Sequence, residues 1–186
     1  MKKIAVLCKD GFEEIEALAP VDILRRANFE VELVGMDELL LESSHHIGIK
    51  MDRVFGDDIY DYDGIVIPGG LPGATNLRDD NRVIKIVNDF NNKNKMLAAI
   101  CAGPIVFAKA NILTDKVVTC YPGVETDLPG ANYQETLVQR DGNIITAKGP
   151  GAALAFGFAI LEYYGVDSSN LKDAMQYNYL LNSLKD

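Results

Sequence analysis

Short apolar segments alternate with helix-forming segments along this chain of 186 residues, and that alternation constrains its fold more than any other feature. The apolar segments are too short for buried helices and resemble strands that are covered on both faces. Between them, residues 13–27 and 76–91 carry apolar side chains at helical spacing. The pattern predicts one α/β domain over residues 1–186, with a mostly parallel sheet between two layers of helices. The four clearest strand segments are residues 3–8, 31–35, 64–67 and 96–100.

Turn signals and helix-breaking residues add local detail. Pro20 lies inside the first helical segment and is expected to kink or split that helix. Alternating apolar residues over 43–54 indicate a short hairpin or excursion. A second hairpin is predicted at Asp141-Gly142. The remaining predicted elements are a short strand at 117–120 and helices at 102–110, at 151–164 and beyond 171.

Charge and cysteine content narrow the classes of function. A net charge of -9 disfavours binding to nucleic acid or to an anionic membrane. No apolar stretch approaches the roughly 18 residues of a membrane span, and the apolar run after Lys3 is too short for an export signal. We therefore expect a cytoplasmic protein with three free thiols. With only two histidines, which are adjacent, a zinc site is not expected.

Cys101 stands where the apolar segment 96–100 passes into a helical segment. The small residues Ala99, Ala102 and Gly103 around it allow a sharp turn, as in the nucleophile elbow of hydrolases, here with a thiol. Such a turn would place the sulfur at the carboxyl edge of the sheet, near helix N-terminal amides that favour a thiolate and can hold an oxyanion. A buried structural cysteine is the alternative that this stretch alone leaves open.

Two other segments are predicted to reach the same edge of the sheet. Glu16 lies among apolar residues, and a carboxyl buried there would stay protonated and donate a hydrogen bond to a thiolate. Pro68-Gly69-Gly70 ends the third strand segment, so the Gly70 amide can complete an anion hole, with a simple tight turn as the alternative.

The two other cysteines and two other glutamates near the predicted strand ends are not expected to take part in this site. Cys8 and Cys120 lie near the ends of core strands and are predicted to be buried structural cysteines. Glu13 and Glu14 are predicted to be solvated charges in the first turn of a helix.

Several motifs in a fixed order resemble the ThiJ/PfpI superfamily, and within it the branch of the parkinsonism-associated deglycase and its bacterial relatives. The resemblance spans nearly the whole chain. The motifs that carry it are Glu13-Glu14-Ile15-Glu16, Pro20-Val21-Asp22-Ile23-Leu24-Arg25-Arg26, Ile67-Pro68-Gly69-Gly70, Ala98-Ala99-Ile100-Cys101-Ala102-Gly103-Pro104 and Lys148-Gly149-Pro150-Gly151.

The resemblance implies a flavodoxin-like fold, a homodimer and no cofactor. It implies that Cys101 is the nucleophile and the readily oxidised site, with Glu16 as its hydrogen-bonding acid and the amides of Gly70 and Ala102 as the anion hole. The activities it implies are glyoxalase chemistry on methylglyoxal and glyoxal, deglycation of early adducts, and redox-dependent chaperoning.

The chain departs from parts of the superfamily at histidine positions. Protease-like members carry a histidine directly after the cysteine, where this chain has Ala102, so peptide hydrolysis is disfavoured. Some relatives carry a histidine where this chain has Tyr121, which is interpreted as a packing residue or an accessory hydrogen-bond donor. His45 and His46 are predicted on a solvated loop. In the family this loop lies near the partner's active site, so either is a candidate accessory group.

Two functional hypotheses follow. In the first, the Cys101 thiolate attacks a small dicarbonyl, the anion hole holds the oxygen, and Glu16 relays the proton. In the second, the chain is a protective protein or chaperone with little turnover, whose Cys101 oxidises to a sulfinate.

Overall fold

The central sheet in the computed structural model has seven strands, and the structure describes residues 1–184. Six of these strands are parallel and β10 is antiparallel, in the order β10-β11-β7-β6-β1-β2-β5. The strands are β1 (Lys3–Cys8), β2 (Glu30–Gly35), β3 (Leu40–Glu42), β4 (Gly48–Lys50), β5 (Arg53–Val54), β6 (Gly64–Ile67), β7 (Met96–Ile100), β8 (Val117–Val118), β9 (Asn132–Tyr133), β10 (Val138–Asp141) and β11 (Ile144–Ala147). The helices are α1 (Glu14–Arg26), α2 (Gly73–Arg78), α3 (Asn81–Asn92), α4 (Pro104–Lys109), α5 (Ala153–Tyr163), α6 (Ser169–Ala174) and α7 (Tyr177–Ser183).

Two hydrophobic clusters cover the two faces of this sheet. Because successive side chains of a strand point to opposite faces, Leu7 of β1 packs with the cluster of α2, α3 and α4, and Val6 packs with that of α1 and α5. Phe107 is fully buried in the first cluster and Phe156 in the second. The predicted α/β fold, a mostly parallel sheet between two layers of helices, is confirmed.

Several local predictions need correction. Pro20 does not split the first helix: α1 is continuous, and Pro20 is buried where α1 meets Gly157 of α5, whose absent side chain allows the close approach. The helix predicted at 76–91 is two helices, because the Asp80 carboxylate accepts from the Arg82 amide at 2.9 Å and begins α3 afresh.

Two predicted strands also differ in position. The first hairpin pairs β3 with β4, so it begins earlier in the chain than predicted. The strand predicted at 117–120 is only β8, which pairs with β9 in a separate small sheet and leaves Cys120 outside it. The Asp141-Gly142 hairpin is confirmed as β10 and β11.

The carboxyl ends of β1, β6 and β7 bring three loops together at one edge. The Glu13 amide, at the start of α1, donates to the carbonyl of Gly69 at 3.0 Å, which ties the loop after β1 to the loop after β6. Cys101 directly follows β7, the neighbour of β6. None of the helices within residues 1–184 combines the length and hydrophobicity needed to cross a bilayer.

Candidate active site

Cys101 occupies a sharp elbow between β7 and α4. Its φ is +63°, a left-handed conformation that is unfavourable for a side chain other than glycine. Two backbone hydrogen bonds hold it: the Cys101 amide donates to Ala147 at 2.9 Å, and its carbonyl accepts from the Tyr121 amide at 3.0 Å. A side chain at Gly103 would place a Cβ 2.6 Å from the carbonyl oxygen of Ile67, so the turn also needs glycine there. The thiol is partly exposed.

Glu16 reaches the elbow from α1 and is fully buried. Its Oε2 accepts from the amide of Gly69 at 2.8 Å. Its Oε1 is buried and has no hydrogen-bond partner within the described part of the chain. The Glu16 carboxyl and the Cys101 thiol shift each other's pKa, and Oε1 is the carboxyl oxygen that remains available to the sulfur.

Gly69 has a place in the site that the sequence did not reveal. A Cβ at this position would lie 2.6 Å from Glu16 Oε2, 2.7 Å from the Cys101 Cβ and 2.9 Å from the Ala102 nitrogen. Only glycine therefore lets the carboxyl and the thiol meet across this strand end.

Replacing Gly69 by alanine should accordingly separate the Cys101–Glu16 pair. Any activity that depends on this pair should fall by at least about tenfold, since misplacement of reacting groups by about 1 Å has effects of this size or larger. The measurement is turnover together with circular dichroism. Gly151→Ala is a matched control, because a Cβ at Gly151 meets nothing within 4 Å. Full activity in Gly69→Ala would contradict this assignment.

The amides of Gly70 and Ala102 both lie at the Cys101 sulfur and lower the pKa of its thiol through hydrogen bonds. Gly70 has a φ of +85°, and a Cβ there would lie 2.4 Å from the Glu13 nitrogen, so glycine is required for its amide to face the sulfur. The structure thus brings together Cys101, Glu16, Gly70 and Ala102, the four residues placed at one site by the sequence analysis.

The protonation of the pair is set mainly by burial. Burial raises the pKa of Glu16 to about 7. Burial, and then the charge of Glu16, raise the pKa of the Cys101 thiol to about 12, although the two amides lower it. This upward shift of the thiol pKa is opposite to the downward shift that helix amides alone would cause. The two groups therefore titrate as a unit: the first proton leaves near neutral pH, and the second is retained because its loss would create two adjacent negative charges.

The accessory candidates lie at the margin of the site. Tyr121 is hydrogen-bonded to Cys101 through its backbone, but its half-exposed ring lies against Gly149. His45 and His46 lie on the turn of the first hairpin, and their rings are directed to Glu14 and Glu42 rather than to the thiol. The Glu14 carboxylate raises the pKa of His45.

Glu13 is buried, contrary to the prediction that it is solvated, and its Oε2 accepts from the Glu16 amide at 2.7 Å. The spacing of three residues at a helix start is the signal that identifies this cap. Ligand atoms of Glu13, Glu14 and His45 lie within 4.8 Å of one another, so these residues could hold a metal ion. The hydrogen bond between His45 and Glu14 and the helix cap made by Glu13 account for the arrangement without one.

A comparison with protein families agrees with this geometry. The DJ-1/PfpI family profile matches residues 2–163, which include every group described above. The chain belongs to the DJ-1/PfpI family. A Danio rerio relative named Parkinson disease protein 7 homolog is 34% identical over 167 residues, which is 87% of this chain and 88% of the relative. The Schizosaccharomyces pombe protein named glutathione-independent glyoxalase DJ-1 is 34% identical over 174 residues, 87% of this chain and 91% of that protein.

Solved structures of DJ-1 proteins share the fold. The crystal structure of a cysteine-to-alanine mutant of a DJ-1 superfamily protein from Salmonella typhimurium has a TM-score of 0.88 and 29% identity, and the match covers 96% of this chain and 98% of that one. The flavodoxin-like architecture implied by the sequence motifs is thereby confirmed, and so is membership of the superfamily.

Proposed function

We propose that this DJ-1/PfpI protein converts small α-oxoaldehydes such as methylglyoxal into 2-hydroxy acids, without glutathione or another cofactor, through Cys101. The observation that carries the proposal is the partly exposed Cys101 thiol at a strained elbow, next to the buried Glu16 carboxyl and two amides that face the sulfur. The S. pombe relative that is named a glutathione-independent glyoxalase supports the same reaction class.

In the proposed first step, the Cys101 thiolate attacks the aldehyde carbon. A carbon–sulfur bond forms, and the carbonyl electron pair moves to oxygen, which the amides of Gly70 and Ala102 stabilise. For this step we propose that the negative charge of the pair moves to sulfur and the proton to Glu16, although the pKa of the thiol, about 12, lies above that of the carboxyl, about 7. Two amides face the sulfur, whereas one amide, that of Gly69, faces the carboxyl.

In the proposed second step, Glu16 gives its proton to the oxyanion and so becomes a base. It then takes the proton from the former aldehyde carbon and delivers it to the ketone carbon, while the hydroxyl proton moves to the neighbouring oxygen, which yields a thioester of the 2-hydroxy acid. Water then breaks the carbon–sulfur bond and releases the acid and the thiol. The aldehyde carbon is oxidised as the ketone carbon is reduced, so the reaction needs no external oxidant.

The test is lactate formation from methylglyoxal by the purified protein, without glutathione. We expect lactate in amounts that exceed the protein many times over, and early glycation adducts can be assayed in parallel as a second substrate class. Consumption of methylglyoxal without lactate would show only covalent modification of the protein and would overturn the proposal.

A second function is favoured by one specific observation, the contrast among the three thiols. Cys101 is partly exposed and has two backbone amides at its sulfur, whereas Cys8 and Cys120 are fully buried. We propose as the alternative a redox-responsive protective protein, in which two equivalents of peroxide oxidise the Cys101 thiolate through sulfenate to sulfinate, with two waters released.

Mass spectrometry after mild peroxide treatment tests the alternative. We expect an addition of two oxygen atoms at Cys101 alone, because peroxide reaches the partly exposed Cys101 thiol but not the two buried thiols. Equal oxidation of Cys8 and Cys120 would contradict a tuned site. Turnover of methylglyoxal by the untreated protein would decide between catalysis and sensing as the main role.

We also propose that the chain forms a homodimer. Exposed apolar side chains lie beside the site: Ile15 and Leu18 on α1 and Ile47 on the hairpin turn, with exposed fractions of 52%, 38% and 49%. Light scattering should give twice the 20.4 kDa of one chain, and Ile47→Asp should lower that mass. A monomer at every concentration would contradict the dimer.

A further inference from the structure

A second cavity, of about 530 Å³, lies at the opposite edge of the sheet from Cys101. It is lined by residues at the amino ends of β1, β6, β7 and β11, whereas Cys101 follows the carboxyl end of β7. The length of β7 places the two edges about 16 Å apart, at about 3.3 Å per residue. The cavity is therefore separate from the candidate active site, and its volume lies in the range of small-molecule sites.

The lining of this cavity is positively charged, although the chain carries a net charge of -9. It contains Lys2, Lys95 and Arg140 but only one carboxylate, Asp63, which pairs with Lys2 at 2.8 Å. Within residues 1–184, Lys95 and Arg140 have no ion-pair partner. The Lys95 ammonium instead donates to the carbonyl of Tyr60 at 2.8 Å and lies 4.8 Å from the centre of the Phe90 ring. The lining therefore carries a formal excess of two positive charges.

A polar cavity of about 390 Å³ at the other edge provides a contrast. Its cation, Lys9, is paired with both Asp37 and Asp80. The same lining also contains Asp10, Glu38 and Asp79, so carboxylates outnumber the cation and an excess of positive charge is not a general property of the cavities of this protein.

Arg140 is held in place at the cavity. Its guanidinium carbon lies 4.6 Å from the centre of the Tyr163 ring, and its Nε donates to the carbonyl of Gly142 at 3.3 Å. Its two terminal nitrogens make no hydrogen bond to the described part of the chain, so they remain available as a fork. Tyr163 and Tyr164 meet edge to face, with ring centres 4.9 Å apart, and form an aromatic wall beside it.

We propose that this cavity binds a small organic phosphate that carries a planar ring, as a nucleoside monophosphate does. The Arg140 fork matches two oxygens of a phosphate, and a dianion compensates the two excess positive charges, which a monoanionic carboxylate does not. The planar ring packs against the wall of Tyr163 and Tyr164. The site does not depend on the proposed glyoxalase function.

Isothermal titration calorimetry of the full chain with adenosine monophosphate tests this proposal, with adenosine and inorganic phosphate as comparisons. We expect saturable binding of adenosine monophosphate, weaker binding of phosphate and none of adenosine. Arg140→Ala should lower the affinity by about tenfold or more, the effect of a lost charged hydrogen bond. The affinity of Arg140→Lys should lie between those of wild type and Arg140→Ala, because lysine keeps the positive charge but lacks the two terminal nitrogens of the guanidinium.

Two controls separate this site from other effects. Lys50→Ala removes an exposed cation that does not line the cavity, and it should leave binding unchanged. Cys101→Ser should also bind normally, because it alters only the other edge of the sheet. Absence of saturable binding, equal affinity for adenosine and its monophosphate, or equal affinity of Arg140→Ala and wild type would each overturn the proposal.

Discussion

Replacing Cys101 by serine should abolish the formation of lactate from methylglyoxal. The serine hydroxyl is nearly the same size, but it does not ionise near neutral pH. Within residues 1–184, Glu16 is the only titratable side chain that acts on this position. Without a charged nucleophile, only substrate binding and the anion hole still contribute to catalysis. We therefore expect turnover to fall by about 10³-fold or more. The measurement is the initial rate of lactate formation at saturating methylglyoxal.

Cys120→Ala is the matched control for that substitution. Cys120 precedes Tyr121, whose amide is hydrogen-bonded to the elbow, but its own thiol is fully buried and its pKa is raised to about 11. This variant should retain most of its turnover, with at most a modest loss of stability from the small cavity. If Cys101→Ser formed lactate at the wild-type rate, the sulfur would not be the nucleophile.

Replacing Glu16 by glutamine should lower turnover by about 10²- to 10⁴-fold, the usual contribution of a positioned general acid–base. The glutamine side chain keeps the volume and accepts from the Gly69 amide as the carboxyl does, but it cannot carry a proton between two carbon atoms. The measurement is turnover beside the rate of Cys101 alkylation by iodoacetamide. We expect the alkylation rate to be retained, because the glutamine amide, like the protonated carboxyl, can donate a hydrogen bond to the thiolate.

Glu16→Ala completes the comparison. Alanine removes the proton carrier and the hydrogen bond to sulfur together, and it leaves a cavity at a fully buried position, so turnover and thiol reactivity should both fall. A purely structural role of Glu16 would lower both quantities in Glu16→Gln as well. Wild-type turnover in Glu16→Gln would show that another group moves the proton.

The strands and the elbow were predictable because their signals are local. An apolar run followed by a cysteine among small residues determines where β7 ends and where the chain turns, and Cys101 indeed has the left-handed φ of a strained elbow. Glu16 was predictable because a carboxyl among apolar neighbours on a helix implies burial. The order of motifs then placed both in one superfamily, which the family comparison confirms.

Other features depend on contacts between distant segments, which local signals do not contain. Gly69 must be glycine only because Glu16 and Cys101 approach it from two other elements. Glu13 is buried because the loop after β6 closes over it. The elevated pKa of the Cys101 thiol arises from burial and from the neighbouring carboxyl, and helix position alone predicts the opposite direction.

The central claim is that the Cys101–Glu16 pair loses a single proton near neutral pH and that the remaining charge lies on sulfur. The most direct test is the rate of Cys101 alkylation by iodoacetamide as a function of pH, followed by peptide mass spectrometry. We predict that the rate rises with an apparent pKa near 7, below the ordinary thiol value of 9.0. A rate that rises only above pH 9.0 would place the charge on Glu16 and contradict the account.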